Sequence, residues 1–406
     1  MSLMRLMDLQ VGLHTDANDF TATPGTLRRI QLMGGAESLL ARPQMALSRN
    51  DMASRDGRGF LDLYGPIGLD PCSPSTEFKG VSANTGAAVA ATGWLDKLEQ
   101  GELLVSMLGA DFVATASAAP TVAAAGHTTT TLVCVGTAPV AGQAVLFQTS
   151  AGPVVRFVIS VATLTATLDR AYSGTPTNAS TVIRGAVIPW SPSVVNHRHL
   201  YLKAEMPDAL VEFFGASPVS WGLTIPNGGK LQSAWVFAPS NVVGPAAPVS
   251  PTPTPAAAGT PTVGINTELW IGSERFLIDD LSVAYANGNE DRGSPGTPAG
   301  KLGGLAGEKR GAFTISGTVR NETRSREGVQ RATGTENLTT LLGTASGSGV
   351  LSTSRDVLLV VGRAAGAAIA LRMPDANVTG AMAQLGTHLS AAVTMTATQT
   401  ASLAVF

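Results

Sequence analysis

Charge is what this sequence has least of. Asp, Glu, Lys and Arg make up 14% of its 406 residues, about half the usual share, and they nearly cancel to a net −2. A near-neutral chain with a sequence pI of about 6.2 lacks the basic surface that a general nucleic-acid binder needs. Cysteine is almost absent. Cys72 and Cys134 stand far apart without CxxC spacing, so neither a zinc site nor a disulfide framework is expected, and two isolated thiols fit a reducing cytoplasm. Aromatic residues are only 5%, which argues against the exposed aromatic cluster of a carbohydrate site. Long apolar runs are missing too, despite a mean hydropathy of +0.20. The best candidate, residues 357–371, is broken by Arg363 and is too short on either side to span a bilayer. The opening MSLMRLMDLQVGLHTD has no uninterrupted apolar core and no cleavage site, so no secretory signal is read. A chain this poor in charge is expected to bury surface against other subunits.

Catalytic signatures are equally scarce. GGLAGEK at 303–309 lacks the phosphate-loop frame, because Glu308 separates Gly307 from Lys309 and Arg310 follows. No G-x-S-x-G nucleophile elbow occurs. His197 and His199, in NHRH, are spaced to share one face of a strand, but no further His or Cys cluster supports a metal. Asp208 and Asp375 resemble an acidic pair, yet each follows a proline in the same short motif, which suits a turn better than acid–base work. No catalytic residue, cofactor-binding residue or metal ligand is therefore assigned. The expectation is a protein that is not an enzyme and uses no cofactor.

What the chain does have is internal recurrence. HLYLKAEMPDALVEFFG at 199–215 returns as AIALRMPDANVTG at 368–380, both with Met-Pro-Asp-Ala (Met206–Ala209 and Met373–Ala376). Upstream, ELLVSMLG at 102–109 and ENLTTLLG at 336–343 share an E-x-L-x-x-x-L-G frame. The upstream pair is offset by more than the downstream pair. That places an insertion in the first copy, between Gly109 and His199, and a tandem duplication is expected.

Taken in order, residues 1–25 read as irregular and 26–32 as a strand. Residues 33–75 form a Gly-, Asp-, Arg- and Pro-rich loop, too long for an ordinary connection. A strand over 76–89 leads to a helix over 93–109, where Trp94, Leu95, Leu98, Leu104, Met107 and Leu108 share a side and Gly109 can end it. Residues 119–188 hold five short strands (131–135, 144–147, 154–161, 163–168 and 181–188), the pattern of a small barrel or sandwich. Strands at 198–205, 219–225 and 231–237 follow, the last two joined by the Asn227–Gly228 turn. The Pro/Ala/Thr-rich stretch 238–264 reads as an extended, solvated linker. Beyond it come strands over 268–285, a second long glycine-rich loop at 286–311, a strand over 312–320, a helix over 326–342, and strands over 357–372 and 388–398.

The expected architecture is mainly β with one helix per module: two tandem β-sandwich or barrel modules plus a small inserted β-barrel domain. The first module is discontinuous, residues 1–118 and 189–237. The insert is 119–188, the linker 238–264, and the second module 265–406.

This layout of strand, long loop, strand, helix ending L-x-x-x-L-G and paired strands, with GAFTISGTV after a glycine-rich loop, resembles the tail tube (major tail) proteins of long-tailed bacteriophages. The resemblance covers most of the chain outside insert and linker. It implies a structural protein of the virion tail, made in the host cytoplasm, self-assembling into rings stacked around a channel for DNA. It further implies contacts with other tail proteins and no membrane partner. The long loops would reach the adjacent ring, and the insert would decorate the outside; because it begins and ends in turn-rich sequence and the second module has no equivalent, it is also expected to be dispensable for assembly. Two modules per chain favour trimeric rings with pseudo-six-fold symmetry over hexamers. The alternative is another virion structural or receptor-binding protein: a baseplate hub, a capsid decoration protein or an adhesin.

Overall fold

In the computed structural model, the residues described are 8–14, 23–34, 39, 43–47, 64–69, 71–82, 84–115, 117–191, 197–205, 210–246, 259–287, 292–293, 301–302, 311–320, 353–385, 388–397 and 400–406. The protein is mainly β. Sixteen strands join one curled antiparallel network, six more form a separate small sheet, and two isolated hairpins complete the set. The described residues hold one α-helix, Gly101–Leu108, and no helix long and apolar enough to cross a membrane.

Pairing in the first half runs in a closed circuit. Asp8–Leu13 pairs with Arg28–Ile30, and Leu32–Gly34 passes the circuit to Ser75–Glu77. Ser75–Glu77 pairs with Gln232–Ala238, which pairs with the long strand Leu210–Ile225. That strand pairs with Leu200–Glu205, which returns to Asp8–Leu13. The second half repeats the circuit in the same chain order. Glu268–Ile271 pairs with Glu274–Ala286, then come Ala312–Arg320, His388–Ala397, the long strand Ile369–Leu385 and Thr353–Val361, which returns to Glu268–Ile271.

Corresponding ladder positions carry similar core residues. The pair Leu9–Ile30 corresponds to Leu269–Phe276, Val11–Leu202 to Ile271–Val357, and Leu202–Phe213 to Val357–Met373. All of these side chains are buried in one core. Period-two alternation selects them: in Ala312–Arg320, Phe313, Ile315 and Val319 point inward. The circuits join where residues 220–225 pair with 281–286.

The two long loops also match. The first contains the hairpin Pro43–Leu47/Tyr64–Leu69 and the second the short hairpin Arg292–Gly293/Lys301–Leu302, so both hold paired backbone that was not expected from their composition.

Several expectations are corrected. Asp8–Leu13 lies in what was read as irregular sequence, and the terminal strand Ser402–Val405 was not anticipated. The strand expected over 76–89 is only Ser75–Glu77. In the stretch read as a solvated linker, Asn241–Ala246 forms a strand on residues 210–214. Farther along, Pro261 and Val263 bridge to Lys79 and Lys230, with Thr262 buried. Backbone pairing needs no apolar side chain, so composition alone hid it. The two Met-Pro-Asp-Ala segments do not hold corresponding ladder positions, since Met373 faces Val357 where Phe213 faces Leu202. Residues 206–209 lie outside the described residues, between the paired ends Glu205 and Leu210. Residues 373–376 lie inside a strand, where Met373 and Ala376 face Val357 and Arg355 across a bulge. Pro374 and Asp375 are therefore in a bulge, not a turn; a proline, lacking an N–H, is tolerated where the ladder is interrupted. The second copy of the L-x-x-x-L-G frame, the helix expected over 326–342 and GGLAGEK all lie outside the described residues.

The first helix is shorter than its apolar pattern. A 3-10 turn, Thr92–Trp94, precedes it, and regular winding begins only at Gly101. Tertiary bonds take the intervening side chains: the Glu99 carboxylate accepts from Gln31 N (2.7 Å), and Gln100 Nε2 donates to Thr76 Oγ1 (2.8 Å) and Glu77 O (2.7 Å). The helix ends at Gly109, whose φ of +67° is left-handed and whose N–H reaches Val105 O at 3.0 Å. A Cβ at Gly109 would also overlap the imidazole of His197. Gly109→Ala is expected to destabilise the protein by about 2–4 kcal/mol, from left-handed strain plus overpacking, measured as the loss in denaturant-unfolding free energy. A loss below the error of the measurement would contradict this account of the helix end.

Candidate functional site

The densest chemistry lies where the insert meets the second half. The insert's strands are ordered Ile183–Arg184, Ala144–Thr149, Gly152–Ala162, Thr165–Leu168, Thr131–Val135 and Thr121–Val122, and a bridge from Thr121 to Thr181 brings the sheet's ends together. Val122, Leu132, Phe147, Val158, Leu168 and Tyr172 fill it. The outside of this small barrel is apolar where Leu146, Val155 and Phe157 emerge, and they pack on Leu358, Val360, Ala370, Ala404 and Phe406. Those are the outward residues of the second circuit, whose inward neighbours Val357, Leu359 and Val361 fill its core. The apolar run DVLLVV is thus buried on both faces. The insert is packed against the sheet rather than projecting from it.

Around this apolar centre stands a network of charges. Arg156 lies in the insert, almost wholly buried. Its Nη1 donates to Glu268 Oε2 (3.3 Å) and Val155 O (2.6 Å), its Nη2 to Ala171 O (3.0 Å), and its Cζ sits 5.1 Å from the Trp270 ring centroid. Glu268 also accepts from Trp270 Nε1 (3.0 Å) and pairs with Arg363 and, at 3.8 Å, Arg275. Burial pushes the Glu268 carboxyl up, but Arg156, the Trp270 indole, Arg275 and Arg363 outweigh it and hold it below the ordinary value. Alongside, Arg170 donates to Asp356 Oδ2 (3.0 Å) and Asp356 O (2.6 Å), and Arg372 Nη2 donates to Asp356 Oδ2 (2.9 Å). Asp169 accepts from Phe157 N at 2.9 Å and lies 3.9 Å from Arg372 Nε. Every link from Arg156 or Arg170 to Glu268 or Asp356 crosses between insert and sheet.

A second cluster fixes the root of the first long loop on the helix. Arg28 pairs with Glu102 and, at 2.6 Å, with Asp96; Lys79 pairs with Glu99 at 2.6 Å and donates to Gln31 Oε1 at 3.0 Å. Burial pushes the Glu102 carboxyl up to about 7; Arg28 and Arg198 oppose the shift and Asp96 adds to it.

The residues singled out in the sequence are scattered. The buried ring of His197 bonds at Nε2 with Ser191 O (2.8 Å) and at Nδ1 with Ser106 O (3.2 Å), tying the helix end to the following strand. His199 is buried, and its carbonyl accepts from His14 N (3.0 Å). Asp375 is exposed, with Thr400 Oγ1 at 3.5 Å, while Asp208 lies outside the described residues. Cys72 and Cys134 are free and buried, and burial pushes the thiols up to about 12 and about 11, which leaves them inert. Among the described residues, no group of three or more His, Cys, Asp or Glu is placed to hold a metal. Residue spacing did not single out the junction arginines. The signal available was the doubled-sided apolar run at 357–361, which demands a cover. No protein-family model matches the chain, and no curated protein matches it in sequence.

Two outcomes follow from these clusters. Glu268→Ala removes the carboxylate nearest a buried guanidinium, so stability should fall by about 3–5 kcal/mol, read from denaturant unfolding; an unchanged midpoint would mean that Arg156 is compensated elsewhere. For Glu102, the folded state holds its proton more tightly than the unfolded chain, whose carboxyl titrates near 4.5. Its contribution to stability is therefore present below pH 4.5 and lost as pH rises through about 7. Glu102→Gln should raise the thermal midpoint at pH 8 and leave it nearly unchanged at pH 4; an equal shift at both would contradict the burial argument.

Proposed function

We propose that the protein is a structural subunit of tail tube type: two tandem tube modules and an inserted barrel, self-assembling into rings that stack around a channel for phage DNA in the virion tail. What supports this reading most is the recurrence of one strand circuit in both halves, six strands in the second and the same six places in the first with one of them split into Arg28–Ile30 and Leu32–Gly34, in the same chain order and with corresponding buried pairs. Each half carries its long hairpin-bearing loop between the same two strands of the circuit, a suitable position for reaching a neighbouring ring. The residues brought together at the insert serve cohesion: carboxylates and guanidiniums are spent on one another, as a structural role requires.

On this reading the two modules stand side by side in one ring, and three chains complete a pseudo-six-fold circle. The insert belongs to the subunit's rigid body, since deleting it would uncover Leu358, Val360, Ala370, Ala404 and Phe406. Electron cryo-microscopy of the purified, concentrated protein should show tubes or stacked rings with three chains per ring. Six chains per ring would make the two halves one composite unit, and monodisperse compact particles at all concentrations would defeat the tube reading.

A further inference from the structure

Cancellation of charge where the insert meets the second half is incomplete. Glu268 shares the outer face of its strand with Trp270, and Arg275 faces Trp270 across the hairpin. The neighbouring Glu274 stands opposite the inward Ile271 instead. Beyond Val361, the strand ends at Gly362, whose φ of +74° is left-handed, and the next residue, Arg363, reaches Glu268. Arg156 arrives from the insert. One carboxylate therefore holds three guanidiniums: Arg363 on Oε1, Arg275 at 3.8 Å from the same oxygen, and Arg156 at 3.3 Å from Oε2. The adjoining cluster sets Asp356 and Asp169 against Arg170 and Arg372. Five guanidiniums thus meet three carboxylates, and two positive charges are left over in a chain whose net charge is −2.

We propose that this surplus forms a binding site for a phosphate dianion, held by Arg275 and Arg363 beside Trp270. The group bound is a phosphate with its terminal oxygens free, supplied as the ion or as a monoester. Accessibility, charge and geometry choose it. The side chains of Arg363 and Arg275 are 22% and 29% exposed, whereas that of Arg156 is 4% exposed. The inner guanidinium is committed to the fold, and the outer two can be reached from water. Phosphate near neutral pH carries a charge of about −1.5 to −2, which matches the surplus; a carboxylate or a chloride supplies only one. At 3.8 Å, Arg275 is too far from Glu268 for a hydrogen bond, so its planar fork is available to a second acceptor. Two forks held around one carboxylate suit the several oxygens of a phosphate better than a point charge would. The partly buried Trp270 and the buried Arg156 behind it exclude water on one side, which strengthens the attraction.

Titration of the intact protein with inorganic phosphate and, in parallel, with glycerol phosphate tests the site, each measured against chloride at equal ionic strength. Inorganic phosphate should raise the thermal midpoint and saturate. An equal gain with glycerol phosphate assigns the site to phosphate monoesters as well, and a gain with inorganic phosphate alone assigns it to the free ion. Trp270 is partly exposed while the other four tryptophans are buried, so bound phosphate should also shield it from quenching by acrylamide. Arg275→Gln should keep the parent's midpoint in chloride and weaken phosphate binding at least about tenfold, the loss of a charge-assisted hydrogen bond. Arg275→Lys keeps the charge without the fork, should also bind more weakly than the parent, and decides the matter if the glutamine variant does not fold. Equal midpoints in phosphate and chloride overturn the site. So does a gain in midpoint with unchanged Trp270 quenching, or undiminished binding by either folded variant.

Discussion

The structure depends on one strand having two buried faces. Val357, Leu359 and Val361 close the core of the second circuit, while Leu358 and Val360 point the other way. Exposed, the outer pair and their neighbours Ala370, Ala404 and Phe406 would form an apolar patch of the kind soluble surfaces avoid. The insert resolves this. It leaves the first half between the helix and Leu200–Glu205, yet lays Leu146, Val155 and Phe157 on the second half. The corresponding outer positions of the first circuit, beside the inward Leu202 and Ala204, are Lys203 and Glu205, a polar pair in place of Leu358 and Val360.

Scarcity of charge gives each charge more to do. At the junction, Arg156 and Glu268 are desolvated together, and their attraction is strengthened by the same burial that makes either one costly alone. Arg363 then takes the other oxygen of Glu268, and Arg170 and Arg372 converge on Asp356 Oδ2. Such a network adds less to stability than an apolar patch of equal size, but it tolerates one angular arrangement of the partners and penalises others. The apolar centre supplies cohesion and the charged rim supplies orientation.

Fold class was legible because period-two alternation is written plainly in segments such as AFTISGTVR and TLVCV, where inward and outward residues differ in kind. The insert's strands were legible for the same reason, bounded by Gly, Pro and Ser. Recurrence was also visible, but Met-Pro-Asp-Ala does not mark corresponding positions: Met373 faces Val357 at the ladder place where Phe213 faces Leu202. The true correspondence runs through pairs such as Leu9–Ile30 and Leu269–Phe276, separated by many residues from anything a short motif can capture. Strand 241–246 was missed because its Pro- and Ala-rich composition hides backbone pairing. The helix was overextended because Glu99 and Gln100 bond to distant strands. Site residues were the least legible: Arg156 and Glu268 are 112 positions apart, and neither stands in a recognisable spacing.

The two halves are attached at several places: by the ladder between 220–225 and 281–286, by the ladder between Ala186–Pro189 and Ser402–Val405, and by the insert lying across the second circuit. A single ladder is a hinge: it resists stretching along the strands but lets the sheets swing about their common line. A second attachment away from that line removes the swing, as a diagonal brace stiffens a frame. Bending stress applied to one half must then pass to the other through the brace before the ladder begins to peel. Flexural stiffness of the chain is thereby shared between the ladders of its walls and the contacts that Phe157 and Arg156 make on the outer side of one wall strand.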